Sequence, residues 1–162
     1  MDKFDYRILE ILQNDASASL ADLAARVGLS TTPCWRRIQR LKEDGVIQAQ
    51  VALCDPVSLG LGLTAFVTVK AARHDDGWTT RFLDGVAGIP EILEVYRMAG
   101  EVDYLLKVVV ADIAGYDRVY KRLIKVAELV DVSSGFVMEV VRHTTALPLE
   151  QIYKPVKGGA KG

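Results

Sequence analysis

The chain has 162 residues, of which 50% are hydrophobic and 25% are charged, and its formal net charge at pH 7 is −1. This composition indicates a globular protein that is long enough for two small domains. The near-zero net charge excludes an overall electrostatic field that would attract the chain to nucleic acid. Any affinity for DNA must therefore come from a local basic surface, from dimerisation, or from both.

The cysteine and histidine content gives no metal-binding pattern. Cys34 and Cys54 are isolated, and His74 and His143 lie far from them in the sequence, so we expect neither a metal ion nor a cofactor. Both cysteines are expected to be buried thiols in a reducing cytoplasm. The longest apolar run, residues 59–69, is too short to cross a bilayer, and the N-terminus does not resemble a signal peptide. We therefore expect a cytoplasmic protein that does not enter a membrane.

The first two predicted elements are helices. Apolar residues recur at helical spacing over residues 3–13, and an Asn-Asp pair then favours a turn. Ser19 is a typical N-cap residue, and Asp22 three positions later predicts a capping box for a second helix over residues 20–26. Gly28 is expected to end that helix in the left-handed conformation, which glycine adopts without steric cost.

A third helix is predicted from Thr31 to Asp44. Ser30 is a second N-cap residue, Pro33 suits a first helical turn, and Gly45 supplies a stop. Two short capped helices joined by a glycine-containing turn are typical of a helix-turn-helix, and the helix upstream completes a three-helix domain. The sequence therefore predicts a winged-helix-like N-terminal domain.

The third helix combines an apolar stripe with a basic surface. Cys34, Ile38 and Leu41 fall on one stripe, which should pack against the other helices. Between Ser30 and Lys42 there are four basic residues and no acidic one. A solvated amphipathic helix would show a similar pattern, but the helix-turn-helix context favours DNA binding. The candidate DNA-contacting residues are Ser30, Thr31, Thr32, Trp35, Arg36, Arg37, Gln39 and Arg40.

The segment after Gly45 predicts a strand followed by a hinge. Residues 46–54 alternate between apolar and polar positions, so they could form a wing. Pro56, Gly60 and Gly62 then mark a hinge. The expected division is a helix-turn-helix domain over residues 1–47, a strand linker over 48–62, a second domain over 63–150 and a flexible tail over 151–162.

The second domain shows strand and helix patterns in the order βαββαβ. This order is typical of a ferredoxin-like sandwich, in which two helices cover one face of a four-stranded antiparallel sheet, so the fold class is α+β. The uncovered sheet face should carry alternating apolar residues and predicts homodimerisation, with further assembly possible on the same physical grounds. The predicted strands cover residues 64–72, 92–98, 104–110 and 132–141, and the predicted helices cover residues 77–86 and 113–126.

Three segments occur in a specific order along nearly the whole chain: FDYRILEILQNDASASLADLAARVGLS, GLSTTPCWRRIQRLKEDGVI and GEVDYLLKVVV. They resemble the Lrp/AsnC (feast/famine) family of bacterial and archaeal transcription regulators. The resemblance implies double-stranded DNA as a partner, and a homodimer that often assembles to an octamer. It also implies that the strand linker pairs with its copy in the dimer, although Gln48-Ala49-Gln50 replaces the Gly-Tyr pair common in the family.

The resemblance also implies an effector site. In this family a Gly-x-x-Asp loop lies beside a pocket for a free amino acid, and Gly100 and Asp103 match it, although both are more simply explained as turn formers. Loop N–H groups could hold a carboxylate, and Asp103 could accept from an ammonium group. Ser133 and Ser134 stand where the family often has threonines. The candidate effector-binding residues are Tyr96, Met98, Gly100, Glu101, Val102, Asp103, Tyr104, Ser133 and Ser134.

The sequence therefore predicts a homo-oligomeric DNA-binding transcription regulator whose assembly or DNA affinity responds to a small amino acid. An architectural DNA-binding protein without a ligand is the structural alternative. Tetrapyrrole decarboxylases also resemble this family in both domains, but such a role would require a haem-contacting histidine, and no convergent acid-base set is visible. We therefore expect no enzymatic activity.

Overall fold

The computed structural model describes residues 1–153, which form two compact units. One unit contains Met1–Ala52 together with residues 142–153, and the other contains Leu53–Val141. No helix in the described part of the chain is long and apolar enough to cross a membrane. The flexible tail expected over residues 151–162 falls outside the described residues from position 154 onward.

The first unit is built on the helices α1 (Lys3–Leu12), α2 (Leu20–Val27) and α3 (Thr31–Glu43). Asp2 caps α1, because its carboxylate accepts hydrogen bonds from the backbone N–H groups of Phe4 and Asp5. The Asp5 carboxylate in turn accepts a hydrogen bond from the N–H of Asp2 at 2.9 Å. This capping box satisfies N–H groups that have no partner inside the helix.

The predicted turn between α2 and α3 is present. Ser19 Oγ accepts a hydrogen bond from the N–H of Asp22 at 3.1 Å, and Gly28 ends α2 with φ at 78°. The Asp22 carboxylate also accepts a hydrogen bond from the Ser19 hydroxyl at 2.6 Å. The two residues are therefore joined by a hydrogen bond between their side chains. Ser30 occupies the N-cap position of α3 but makes no side-chain cap hydrogen bond. Ser30 therefore has the expected N-cap position without the expected hydrogen bond. Its exposed hydroxyl lies at the start of α3.

The three helices bury one apolar cluster. Cys34 and Leu41 of α3 are fully buried, and Ile38 is packed against the cluster, which confirms the predicted stripe. Burial raises the pKa of the Cys34 thiol. The fully buried members are Ile8, Leu23, Ala24, Val27, Cys34 and Leu41.

The strand predicted over residues 46–54 is absent from the described chain. Val51 and Leu53 are 73% and 71% exposed, and Cys54 is exposed rather than buried as expected. A strand requires a neighbour for its N–H and C=O groups, and the sheet of the described chain contains no strand that pairs with this segment. An unpaired segment also has no face on which to bury a cysteine.

A C-terminal segment packs against α1 within the first unit. The Gln13 side-chain amide donates to the carbonyl of Leu147 and accepts from its N–H, both at 2.9 Å. The rings of Tyr6 and Tyr153 stack with their centroids 5.0 Å apart. The expected second domain extends to residue 150, whereas residues 142–153 belong to the first unit.

The second unit has the predicted ferredoxin-like architecture. Its sheet has the strand order β2-β3-β1-β4, and every neighbouring pair is antiparallel. The βαββαβ arrangement and the α+β fold class are therefore confirmed. The elements are β1 (Leu63–Ala71), α4 (Asp76–Ala87), β2 (Ile92–Arg97), β3 (Tyr104–Val110), α5 (Ile113–Leu123) and β4 (Leu129–Phe136).

The last strand is displaced from its predicted position. β4 ends at Phe136, whereas the alternating pattern predicted a strand over residues 132–141. Phe136 lies opposite Ala65 of β1, and the N–H of Val137 makes one more hydrogen bond to the carbonyl of Thr64. Because β1 begins at Leu63, residues further along the chain have no strand to pair with.

One face of the sheet packs against α4 and α5. The rings of Trp78 and Phe82 stack at 5.0 Å, and Phe82 lies 4.7 Å from the ring of Tyr104 in β3. Trp78 Nε1 donates a hydrogen bond to the carbonyl of Glu128 at 2.7 Å, so this buried indole N–H is satisfied. The aromatic cluster fixes α4 on the sheet.

The opposite face of the sheet is partly exposed and mixed in chemistry. Phe66 is 40% exposed there, and the strand register places it beside Lys107 and Gly135. Lys107 Nζ donates to Glu94 Oε1 at 2.8 Å. The expected apolar alternation is therefore interrupted by an ion pair and by hydroxyl groups. The residues of this face include Phe66, Thr68, Lys70, Glu94, Leu105, Lys107, Val109, Asp131 and Ser133.

Candidate DNA-binding surface and effector loop

The outer side of α3 presents polar and aromatic groups. Residues 30–32 are exposed, Trp35 is 50% exposed, and Gln39 is partly buried. Arg36 is exposed, and its side chain makes no hydrogen bond or ion pair with the other residues of the described chain. Hydroxyl, amide and guanidinium groups at the start and along one side of a helix can contact base edges and phosphates in a major groove.

Arg37 is held between α3 and α1. Its Nη1 donates to Asp2 Oδ2 and to Asp5 Oδ1, each at 2.8 Å, and its guanidinium carbon lies 5.3 Å from the centre of the Phe4 ring. The hydrogen bond to Asp5 raises the pKa of Arg37. Only 24% of the Arg37 side chain is exposed. Among the candidate DNA contacts, Arg37 is thus the one whose side chain is mainly engaged within the fold.

Asp5 is a fully buried carboxylate with both oxygens hydrogen-bonded. Oδ1 accepts from Arg37, and Oδ2 accepts from Arg40 Nη2 at 2.7 Å and from the N–H of Asp2. A buried charge is tolerated only when it is paired in this way. Arg40 retains 51% exposure of its side chain. One edge of its guanidinium group therefore contacts Asp5 while other N–H groups remain accessible.

A cleft of about 330 Å³ follows the same side of α3. Pro33, Arg36, Arg37 and Arg40 line it, and their spacing of three and four residues places them on one helical surface. Three guanidinium groups exceed the two aspartates that contact them, so the cleft is positively charged. Planar guanidinium groups bind phosphate oxygens with two parallel hydrogen bonds.

The loop between β2 and β3 is closed by backbone hydrogen bonds around Asp103. Gly100 has φ at 130°, a conformation that favours glycine. The N–H of Asp103 donates to the carbonyl of Val69 at 3.0 Å, and the carbonyl of Asp103 accepts from the N–H of Met98 at 2.8 Å. Glu101 is exposed and Val102 is partly buried within this loop.

The Asp103 carboxylate is also engaged within the second unit. Its Oδ2 accepts a hydrogen bond from the N–H of Ala71 at 2.8 Å, and its Oδ1 lies 3.7 Å from His74 Nδ1. The side chain is 26% exposed. Asp103 therefore has the turn-forming role that its residue type predicts, and one carboxylate oxygen remains near the surface.

Two residues just before the loop, one at the end of β2 and one following it, are accessible. Tyr96 is 47% exposed, and its hydroxyl donates to Glu94 Oε2 at 2.6 Å, which raises the pKa of the phenol. Met98 is 41% exposed. Both side chains are available to a ligand beside the loop.

Two expected effector residues face the helices instead. Tyr104 is 4% exposed, with its ring packed against Phe82. The Ser134 hydroxyl hydrogen-bonds with the hydroxyl of Tyr116 in α5. Successive strand residues point to opposite faces, so Ser133 and Ser134 cannot line one pocket together.

Ser133 and Tyr96 lie at opposite edges of the sheet. The register aligns Tyr96 with Leu105, Leu105 with Thr68, and Thr68 with Ser133. Three strand spacings separate the outer positions by about 14 Å. One small ligand cannot contact both residues of the same chain.

Two family profiles match the chain. The profile described as the Lrp/AsnC ligand binding domain matches residues 64–147, and the profile described as winged helix-turn-helix DNA-binding matches residues 1–48. The chain belongs to the Lrp/AsnC family. Membership makes it a DNA-binding transcription regulator, as the sequence analysis expected.

Full-length relatives support this assignment. The chain is 50% identical to the DNA-binding transcriptional activator DecR of Escherichia coli over 151 residues, which are 93% of this chain and 99% of DecR. An AsnC family transcriptional regulator from Agrobacterium tumefaciens is 54% identical, with a TM-score of 0.90 covering 94% and 100% of the two chains. A Neisseria meningitidis transcriptional regulator, solved as a complex with L-Met, is 34% identical, with a TM-score of 0.89 covering 94% and 99%.

Asp5 of this Lrp/AsnC chain is not among the site residues expected from the sequence. A signal was present, because Asp5 lies three and four positions before Ile8 and Leu9, on the side of α1 that carries its apolar residues. An acidic residue on a buried stripe requires a cationic partner. Arg37 and Arg40 of α3 are those partners.

Proposed function

We propose that this regulator places α3 in the major groove of double-stranded DNA. The observation that supports this most is the contrast between Arg36, which has no partner in the described chain, and Arg37, which is held by two aspartates. Exposed groups at the start of α3 would contact base edges, and Arg40 would contact the DNA backbone. The proposed contacts are Ser30, Thr31, Thr32, Trp35, Arg36, Gln39 and Arg40, with Arg37 supporting the helix.

We further propose that a small amino acid binds beside the loop of residues 100–103 and changes assembly or DNA affinity. The L-Met complex of the Neisseria meningitidis relative supports an amino-acid ligand. The surface oxygen of Asp103 can accept from the ligand's ammonium group, and loop N–H groups can donate to its carboxylate. Tyr104 and Ser134 are left out of this proposal, and Ser133 could contribute only from another subunit. The proposed residues of one chain are Tyr96, Met98, Gly100, Glu101, Val102 and Asp103.

The proposed functional unit is a homodimer formed through the partly exposed sheet face, with octamers as its assembly. Phe66 and Leu105 supply apolar surface on that face, and an apolar surface between ionic groups is typical of subunit interfaces. The regulator would act in the cytoplasm, where its DNA is, and would have no catalytic activity. Absence of a Soret band after haem is added would support the last point against a tetrapyrrole decarboxylase.

A screen of the twenty amino acids by thermal shift, repeated by size-exclusion chromatography and by DNA binding, tests the proposal. A ligand that binds the native state raises the melting temperature in proportion to its concentration. We expect at least one amino acid to raise the melting temperature and to change assembly or DNA affinity. Site-independent DNA binding, with no thermal shift from any amino acid, would instead indicate an architectural protein.

A further inference from the structure

Two aspartates at the start of α1, the N-cap residue and one in the first turn, contact two arginines of α3, but they do so unequally. Asp5 is fully buried and contacts both Arg37 and Arg40, whereas the Asp2 side chain is 50% exposed and contacts only Arg37. Arg37 is mostly covered, while Arg40 is half exposed and lines the basic cleft. Asp5 is therefore the link between the interior of the first unit and an accessible arginine of α3.

We propose that Asp5 is a positioning residue for DNA binding. By accepting a hydrogen bond from Arg40 Nη2, it fixes the guanidinium group at the cleft, where the remaining N–H groups bind one phosphate of the DNA backbone. The inference rests on the proposed placement of α3 on DNA. Asp5 itself does not touch DNA. Through Arg40, it determines the position of α3 along the DNA backbone.

The geometry of arginine makes this role possible. A guanidinium group has five N–H donors in a planar fork, and the contact with Asp5 uses only Nη2 of Arg40. A long side chain loses conformational entropy when it binds a phosphate. A contact that already holds the guanidinium group in the free protein reduces the entropy lost on binding. Because phosphate contacts set the orientation of a protein on the duplex, a displaced Arg40 would disturb base contacts elsewhere on α3.

If Asp5 acted only through its charge, its removal would strengthen DNA binding rather than weaken it. Loss of a negative charge near a DNA-binding surface strengthens attraction to phosphates and favours all sequences alike. Loss of a positioning contact weakens binding to the preferred site while leaving general attraction to DNA intact. The sign of the change therefore separates the two roles.

The experiment compares Asp5→Asn with Asp2→Asn in the full chain. Each variant loses one negative charge, but only the first alters the group that contacts Arg40, because an amide has one acceptor oxygen where Asp5 uses two for Arg37 and Arg40. The probes are a duplex selected from a random library by the wild type and a random-sequence duplex of equal length. We expect Asp5→Asn to bind the selected duplex about tenfold more weakly, with random-duplex affinity unchanged or higher. Asp2→Asn should bind both duplexes at least as tightly as the wild type.

A double-mutant cycle with Arg40→Gln tests the route of the effect. If Asp5 acts through Arg40, Asp5→Asn causes no further loss for the selected duplex in the Arg40→Gln background. Persistence of the full loss there would overturn the proposal. So would equal weakening on both duplexes, or binding of the selected duplex by Asp5→Asn as tight as by Asp2→Asn.

Arg40→Lys provides a second test should Asp5→Asn fail to fold. Lysine keeps the charge but lacks the planar fork that can contact Asp5 and a phosphate together. We expect a similar loss on the selected duplex and little change on the random one, and unchanged selection would contradict the proposal. If the wild type itself selects no duplex, the proposed placement of α3 fails instead.

Discussion

At the scale of single residues, Asp103 has to serve the fold and the proposed ligand with the same carboxylate. One oxygen accepts from the N–H of Ala71, and the other lies 3.7 Å from His74 Nδ1. Substitution by alanine removes both roles at once. Asparagine separates them, because its amide oxygen can still accept from Ala71 while the negative charge is lost.

We expect Asp103→Asn to fold with near-wild-type stability but to bind the amino-acid effector about tenfold or more weakly. A charge-assisted hydrogen bond contributes on the order of 1.5 to 3 kcal/mol, which is the basis of this estimate. Calorimetric titration with the amino acid found in the thermal-shift screen measures the change. Equal affinities of wild type and variant would restrict Asp103 to its role in the turn.

The Arg36 side chain makes no hydrogen bond or ion pair with the other residues of the described chain. Arg36→Ala should therefore leave the melting temperature unchanged. The variant should lose on the order of 1 to 3 kcal/mol in binding if Arg36 contacts a base edge, with relaxed preference at that position. Uniform weakening on all duplexes would instead indicate a phosphate contact, and unchanged DNA binding would place α3 away from DNA.

The contribution of the Asp2 charge to folding stability can be tested by varying the pH. Burial opposes its ionisation, but hydrogen bonds from the N–H groups of Asp5 and Phe4 and from Arg37 outweigh this effect, so the pKa of Asp2 is lowered from 3.8. A lowered pKa in the folded state means that the stabilisation is complete above the unfolded value and is lost as pH falls through the folded value. Asp2→Asn keeps an N-cap acceptor and removes the charge.

We therefore expect the wild type to be more stable than Asp2→Asn near neutral pH, by less than about 1 kcal/mol because half of the Asp2 side chain is exposed to solvent. The difference should shrink as pH falls below the ordinary aspartate value and vanish once pH has fallen through the lowered pKa of Asp2 in the folded state. Urea unfolding of both proteins across this pH range measures the effect. A difference that stayed constant down to the lowest pH would show that the charge of Asp2 is not its cause.

At the scale of elements, one glycine determines how closely α4 approaches the turn that follows α5. A Cβ added at Gly85 would lie 2.9 Å from Val126 Cγ2 and closer still to Cγ1. Val126 is β-branched and has few rotamers with which to move away. The helix interior itself would favour alanine over glycine by about 1 kcal/mol, so packing and helix propensity act in opposite directions here.

Because the contact is far shorter than packing allows, we expect Gly85→Ala to lower the free energy of unfolding by about 1 to 3 kcal/mol. Urea denaturation monitored by far-UV circular dichroism measures this change. Gly62→Ala is the matched control, since an added Cβ there has no neighbour within 4 Å. The double variant Gly85→Ala, Val126→Ala should recover part of the loss, and stability of Gly85→Ala equal to wild type would contradict the packing argument.

At the scale of the whole molecule, the chain passes between its two units twice, near residues 52 and 142. The second passage ends in the segment that contacts Gln13 and Tyr6 of α1. The helix that supplies Asp5 is therefore also the helix that receives the returning C-terminal chain. Each chain offers one α3, so the proposed homodimer offers two.

Two copies of α3 related by a two-fold axis require a pseudo-palindromic site with half-sites about one helical turn, or a multiple of it, apart. Inserting roughly 5 bp between the half-sites moves the second to the opposite side of the duplex. We expect this insertion to abolish cooperative binding, and an insertion of about 10 bp to restore it in part. Footprints that tolerate the half-turn insertion would contradict a rigid dimer.

The sequence by itself determined the elements whose signals are local. N-cap residues, glycine stops and helical spacing located α1, α2 and α3 to within one residue, because a helix satisfies its hydrogen bonds among neighbours in the chain. The βαββαβ order followed from strand and helix periodicity. The motifs at the third helix and at the Gly100–Asp103 loop were sufficient to identify the family.

Tertiary structure alone decided which groups meet. Residues 46–54 have a strand pattern without a strand, and β4 ends at Phe136, because a strand exists only where another strand offers hydrogen bonds. Ser133 and Ser134 are adjacent in sequence yet lie on opposite faces of the sheet. Asp5 binds arginines more than thirty positions away, and such pairing depends on how helices pack, which local sequence does not specify.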